Sequence, residues 1–171
     1  MVSVPNLTYM PTVLIVDDDP KFLSAVEQML VTAGYRVWCA ADGKQAVDIL
    51  EKKHGEIDLT IVDLALPDTN GFELIGAITR RASAVRVIAT TSIHKDAYLD
   101  MAGALGAHAA IRKPPKGALF PEGEWLGTVH RLIGDAVREK SGAAHACGTT
   151  YYAEPSHGTK SGTKTGTETS R

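Results

Sequence analysis

Between Pro11 and Lys140 the sequence switches repeatedly from a short, continuously apolar run to a stretch whose apolar residues recur at spacings of three and four. No other feature narrows the fold so far. A run such as Val13-Leu14-Ile15-Val16 has no polar side, so as a strand it must be covered on both faces. Helices that follow each strand supply the cover, and strict alternation of the two makes the sheet parallel. The chain is therefore expected to be an α/β domain, a doubly wound five-stranded parallel sheet with helices on both faces.

The segments can be placed one by one. After Val16 a helix carries Phe22, Ala25, Val26, Met29, Leu30 and Ala33 on one face, and Gly34 stands where a helix end favours a left-handed residue. Tyr35 to Ala40 reads as the second strand, and Gly43 to Lys53 as a helix with Ala46, Val47 and Leu50 inward. Leu59 to Val62 is the third strand, ending at Asp63. Pro67 to Gly71 is loop chemistry, and a helix runs from Phe72 to Arg81. Val85 to Thr90, Asp96 to Leu105 and His108 to Arg112 follow as strand, helix and strand. The last helix, Glu124 to Lys140, puts Trp125, Val129, Leu132, Ile133, Ala136 and Val137 on one face.

Three segments are expected: an extension over 1–10, the α/β domain over 11–140, and a tail over 141–171. The tail is dominated by Gly, Ser and Thr, and such a composition cannot bury enough apolar surface to offset the entropy of ordering. The formal net charge of −2 gives no electrostatic reason to expect nucleic acid or an anionic membrane. No apolar run approaches the roughly 20 residues a membrane helix needs, and no signal peptide is visible. With two cysteines, Cys39 and Cys147, a reduced, cytoplasmic setting is expected. Cys39 reads as a strand residue. His145, Cys147 and His157 match no zinc spacing.

In a parallel doubly wound sheet, ligands bind at the carboxyl ends of the strands. Strand one is followed by Asp17, Asp18 and Asp19; strand three ends in Asp63; strand four in Thr90, Thr91 and Ser92; strand five in Arg112 and Lys113. Carboxylates gathered at one end repel one another, and a hard divalent cation such as Mg²⁺ relieves that repulsion. A hydroxyl and an ammonium beside them would donate to the oxygens of a phosphoryl group. Asp19, just before Pro20, reads instead as a helix N-cap.

Residues 11–140 resemble the response regulator receiver family, the phosphoacceptor domains of two-component signalling. The resemblance rests on Asp17-Asp18-Asp19-Pro20 after the first strand, on Asp63 followed by Pro67-Asp68-Thr69-Asn70-Gly71, on Thr91-Ser92, and on Lys113-Pro114, in this order. It implies a flavodoxin-like sheet of order 2-1-3-4-5. It also implies that Asp63 accepts a phosphoryl group from phosphohistidine, that Asp18, Asp63 and the backbone carbonyl of Ala65 bind Mg²⁺, and that Asp17 holds one of the metal's waters. Thr91 and Lys113 would grip phosphoryl oxygens, and a cis Lys113–Pro114 peptide would aim the lysine. The implied partners are a sensor histidine kinase or histidine phosphotransfer protein upstream and a protein docking on helix four, strand five and helix five downstream. On this resemblance the chain is a stand-alone signalling domain rather than an enzyme, with at most self-phosphorylation and slow autodephosphorylation.

The chain departs from the family pattern at three places. Ala110 stands where an aromatic residue often swings inward, Pro115 stands where Phe is frequent, and Lys116 to Gly123 makes a long link to the last helix. That link is expected to carry part of the output. Ala65 and Ile93 flank the site with no group to orient water, which implies a long-lived phosphoryl state. The alternative reading is a pseudo-receiver that is never phosphorylated and works by protein contacts alone. A nucleotide-binding enzyme is disfavoured, since neither Gly-x-x-x-x-Gly-Lys-Ser/Thr nor Gly-x-Gly-x-x-Gly is present. An aspartyl phosphohydrolase would need a second acid where Ala65 stands, and no helix-turn-helix follows Lys140.

Overall fold

The computed structural model describes residues 9–93 and 95–146, with 139–146 as helix backbone. Five strands, β1 (Thr12–Val16), β2 (Arg36–Ala40), β3 (Leu59–Asp63), β4 (Arg86–Thr91) and β5 (Ala109–Arg112), form one parallel sheet of order β2-β1-β3-β4-β5. Helices α1 (Pro20–Thr32), α2 (Gly43–Lys52), α3 (Gly71–Arg81), α4 (Asp96–Ala104) and α5 (Glu122–Ala146) alternate with them. The expected fold class and strand order are both present.

The continuous apolar runs explain the two cores. In β1, Val13 and Ile15 join Val26 and Leu30 of α1, and Val129 and Leu132 of α5, on one face; Leu14 and Val16 join Ala46 of α2, and Leu74 and Ile75 of α3, on the other. Every residue of β1 and β3 is buried. Each such Leu, Ile or Val contributes about 1.5–3 kcal/mol by leaving water. Truncating Ile61, fully buried at the sheet centre, to Ala would cost roughly 2–5 kcal/mol.

The same topology opens the site. β1 lies between β2 and β3, so the chain leaving β1 turns into α1 on one face, whereas the chain leaving β3 turns into α3 on the other. The loops diverge and leave a crevice beyond the carboxyl ends of these two strands.

Several sequence expectations need correction. α5 continues to Ala146, past the end placed at Lys140, because Ala143, Ala144 and Ala146 are strong helix formers and outweigh Ser141 and Gly142. Ala25, Ala33 and Val47 are exposed rather than inward: the buried stripe of α1 is confined to Phe22, Val26, Met29 and Leu30, and α2 turns Gly43 and Ala46 to the sheet. No peptide bond among the described residues is cis, so the Lys113–Pro114 bond is trans, the isomer favoured by about 0.5–1 kcal/mol. The tail from residue 147 on, with Cys147, Tyr151, Tyr152 and His157, lies outside the described residues, as do residues 1–8.

Candidate functional site

Asp17 is the first residue past β1, and its N–H continues the ladder by donating to the Ala40 carbonyl at 3.0 Å. That bond drives the side chain into the crevice, where it is 1% exposed. Its Oδ1 accepts the Asp19 N–H at 3.0 Å. Asp63 closes β3 opposite Thr90 of β4 and is also buried. Lys113 follows β5, held by its N–H to the Thr91 carbonyl at 3.0 Å, and its ammonium reaches Oδ2 of Asp17 and Oδ2 of Asp63, each at 2.6 Å. Asp18 is exposed, yet carboxylate oxygens of Asp17, Asp18 and Asp63 all lie within 4.8 Å of one another.

Three carboxylates therefore gather where one ammonium pairs with two of them, Asp17 and Asp63. Burial pushes the Asp17 carboxyl up to about 6, against the opposing pull of the hydrogen bonds from Lys113 and Asp19. Burial works against the Lys113 ammonium as well, but its hydrogen bonds to Asp17 and Asp63 outweigh that cost and hold its pKa above the usual range. The excess of negative charge and the all-oxygen donor set fit Mg²⁺.

The remaining expected residues lie close by. Thr91 is the last residue of β4 and fully buried; its Oγ1 accepts the Ile93 N–H at 3.0 Å, which leaves the hydroxyl proton available for donation. Ala65 meets the site through its N–H, which donates to Asp63 Oδ1 at 3.2 Å. Asp19 is the N-cap of α1, accepting from the Lys21 N–H at 2.9 Å and the Phe22 N–H at 3.4 Å, and these bonds lower its pKa. Cys39 is a half-buried strand residue whose thiol burial raises to about 11, so it stays a thiol.

Sequence reasoning named Gly71, Asp68 and Phe22 without assigning them a supporting role at the site. A Cβ on Gly71 would lie 2.2 Å from the Asp63 carbonyl oxygen and 2.6 Å from Leu64 Cα, so only glycine lets α3 begin against the end of β3. Asp68 caps α2 from the β3–α3 loop, accepting the N–H groups of Gly43 at 2.9 Å and Lys44 at 3.1 Å. Phe22, counted only as part of a core stripe, places its ring centroid 4.7 Å from the Lys113 ammonium. The Asn70-Gly71 pair was a visible signal for the first; the other two depend on tertiary contacts that no local pattern carries.

Comparison with known proteins agrees with this geometry. The family model described as the response regulator receiver domain matches residues 13–120. The transcriptional regulatory protein AfsQ1 of Streptomyces coelicolor is 29% identical over 140 residues, 77% of this chain and 61% of that protein. The response regulator GtcR of Aneurinibacillus migulanus is 33% identical, covering 60% of this chain and 41% of GtcR. The chain thus spans less than two thirds of the length of each of these relatives. Among solved structures, chemotaxis protein CheY4 of Vibrio cholerae superposes with a TM-score of 0.63 at 29% identity, over 72% of this chain and 98% of that one. A CheY-like receiver domain protein from Methanospirillum hungatei gives 0.67 at 25%, over 76% and 98%.

Proposed function

The chain belongs to the response regulator receiver family, and on that premise we propose that it accepts a phosphoryl group on Asp63 and signals through protein contacts. The observation that carries this reading is the buried Asp63 carboxylate, 2.6 Å from the Lys113 ammonium and facing two further aspartates.

In the proposed reaction an Asp63 carboxylate oxygen attacks the phosphorus of a phosphohistidine. The new P–O bond forms as the P–N bond breaks, and the departing imidazole keeps the electron pair and takes up a proton. Lys113 turns from the carboxylates to the phosphoryl oxygens, and the Thr91 hydroxyl donates to another. Asp17, Asp18, Asp63 and the Ala65 carbonyl would hold Mg²⁺, which supplies positive charge against the phosphoryl oxygens. Catalysis of this kind is positioning plus neutralisation, so the residues serve the transfer without turning over a substrate. Ala65 and Ile93 bring no polar side chain beside Asp63, which supports a phosphoryl state lasting minutes; loss of the label within seconds would contradict it.

The finer reading is a regulator acting by itself in the cytoplasm. A histidine kinase or phosphotransfer protein would act upstream, a target would dock on the α4–β5–α5 face, and the chain would make no nucleic-acid contact of its own. No described helix is long and apolar enough to cross a membrane. The size of the endogenous protein on an immunoblot tests this reading, and a product carrying an output domain would contradict it. The phosphoryl reading is tested by Phos-tag mobility after incubation with a small acyl phosphate and Mg²⁺. A retarded band is expected, lost in Asp63→Asn and on removing Mg²⁺. An unshifted native chain would favour the pseudo-receiver, which Ala110 at the aromatic position would suit.

A further inference from the structure

Phe22 lies in the first turn of α1, held there by the Asp19 cap and buried under the site. The ammonium of Lys113 stands over its ring at 4.7 Å while two carboxylates take it at 2.6 Å. An aromatic face attracts a cation most strongly where water is excluded, and the Lys113 side chain is 10% exposed. The ring completes the seat in which the ammonium rests.

The same ring touches two others. Its centroid is 5.6 Å from that of Trp125 at 68°, and 6.1 Å from that of Phe120 at 58°; Phe120 and Trp125 are 5.2 Å apart. Trp125 opens the buried stripe of α5, and its Nε1 is buried with no hydrogen-bond partner among the described residues. Phe120 belongs to the link between β5 and α5, next to Leu119, which is 96% exposed. One side chain thus contacts the reacting lysine, the last helix and the link. Ala110 has no ring to do so from β5.

We infer that Phe22 is a positioning residue for Lys113, and that the Phe22–Phe120–Trp125 cluster carries the position of the ammonium to the β5–α5 link. The inference rests on Asp63 accepting the phosphoryl group. When the ammonium turns to the phosphoryl oxygens, it slides across the face of Phe22 and keeps its hold there, so the ring guides it and is pressed in turn. A close-packed ring cannot shift without its neighbours, so Phe120 moves with it and alters how the link presents Leu119.

The chain has two tryptophans, Trp38 and Trp125, and Trp38→Phe makes Trp125 the sole emitter. In that background, Trp125 emission and the Phos-tag band are followed together after adding acyl phosphate and Mg²⁺. The emission is expected to change at the rate of the band. Phe22→Leu keeps apolar bulk without a ring; it should slow phosphorylation roughly 3- to 30-fold, in the maximal rate rather than the donor KM, and leave the emission unchanged. Phe22→Tyr, which retains the ring, should restore both. Phe120→Leu, at a half-buried link position, should be phosphorylated at the native rate with the emission change lost. Phosphorylation at constant Trp125 emission in the Trp38→Phe chain overturns the transmission, and a native rate in Phe22→Leu overturns the positioning role. Absence of a shifted band before any emission is read overturns the phosphoacceptor reading itself, and this inference with it.

Discussion

The two ends of the sheet each bury an aspartate, and they treat it in opposite ways. At the amino end, Asp58 is fully buried just before β3; its Oδ2 accepts the Thr12 N–H at 2.8 Å, and its Oδ1 accepts the Tyr9 hydroxyl. Both bonds run to groups at or just before the start of the first strand. At the carboxyl end, Asp17 and Asp63 are bound by one ammonium on a flexible stem, with Asp18 close by. The Asp58 arrangement ties the segment entering β1 to the start of β3. The Lys113 arrangement balances charge with a group that can be drawn away, and it leaves negative charge over. Burial of a carboxylate therefore does not by itself mark a site; several carboxylates gathered about one movable ammonium do.

The sharpest way to break this comparison is to exchange the effects of substitution at the two ends. Asp63→Asn should abolish phosphorylation on Phos-tag gels, while Asp58→Ala should leave the band at its native intensity under conditions where the chain is folded. Loss of the band in both would mean that the amino-end aspartate also serves the reaction. Lys113→Met comes next. It should slow phosphorylation on the order of 10²-fold, as removing a preorganised donor to transition-state charge does. It should also leave two buried carboxylates without their ammonium, so that Mg²⁺ raises the Tm of this variant more than that of the native chain. An equal Mg²⁺ shift in the two proteins would show that the metal and the lysine do not share the same carboxylates.

The carboxyl end was far more legible in the sequence than the amino end. Asp17 and Asp63 each stand at the end of an apolar run and Lys113 directly after β5, so the alternation that set the fold also delivered them to one place. Thr91 was found the same way. Asp58 sits before a strand, in a stretch with no such signal, and Tyr9 lies 49 residues away from it. The contact between them exists only once β1 and β3 are neighbours. The ring of Phe22 was hidden for a related reason: apolar spacing says that a residue is inside, and it cannot say which polar group lies over its face. The end of α5 was misread because Gly142 and Ser141 weigh heavily in composition, whereas the alanines beside them extend the helix.

A smaller effect sharpens the structural half of the comparison. Asp58→Ala strands the Thr12 N–H, in a residue 2% exposed, and an unsatisfied buried donor costs about 1–3 kcal/mol. Thermal unfolding should show a Tm lowered by several degrees. No loss would mean that water replaces the carboxylate and that the first strand is not tied through it.

Tyr9→Phe should have the smallest effect, and its dependence on pH separates it from the rest. The Tyr9 hydroxyl is held above its ordinary pKa, by burial first and then by the hydrogen bond and the charge of Asp58. The folded chain keeps this proton at a pH where the unfolded chain gives it up. The bond's contribution is therefore complete below about pH 10, where Tyr titrates in an unfolded chain, and declines as pH rises above that value. With Tyr9 54% exposed, the contribution is at most about 1 kcal/mol. Urea unfolding at neutral pH should show the native chain more stable than Tyr9→Phe by that small margin, with the two curves converging as the pH is raised past 10. At the carboxyl end the donor is an ammonium, whose hold on Asp17 and Asp63 does not depend on a tyrosine proton. Phosphorylation at neutral pH should accordingly be the same in Tyr9→Phe and the native chain. A rate change there would show that the two ends of the sheet are coupled, and that the division between a structural and a reactive aspartate is not as clean as their places in the sheet imply.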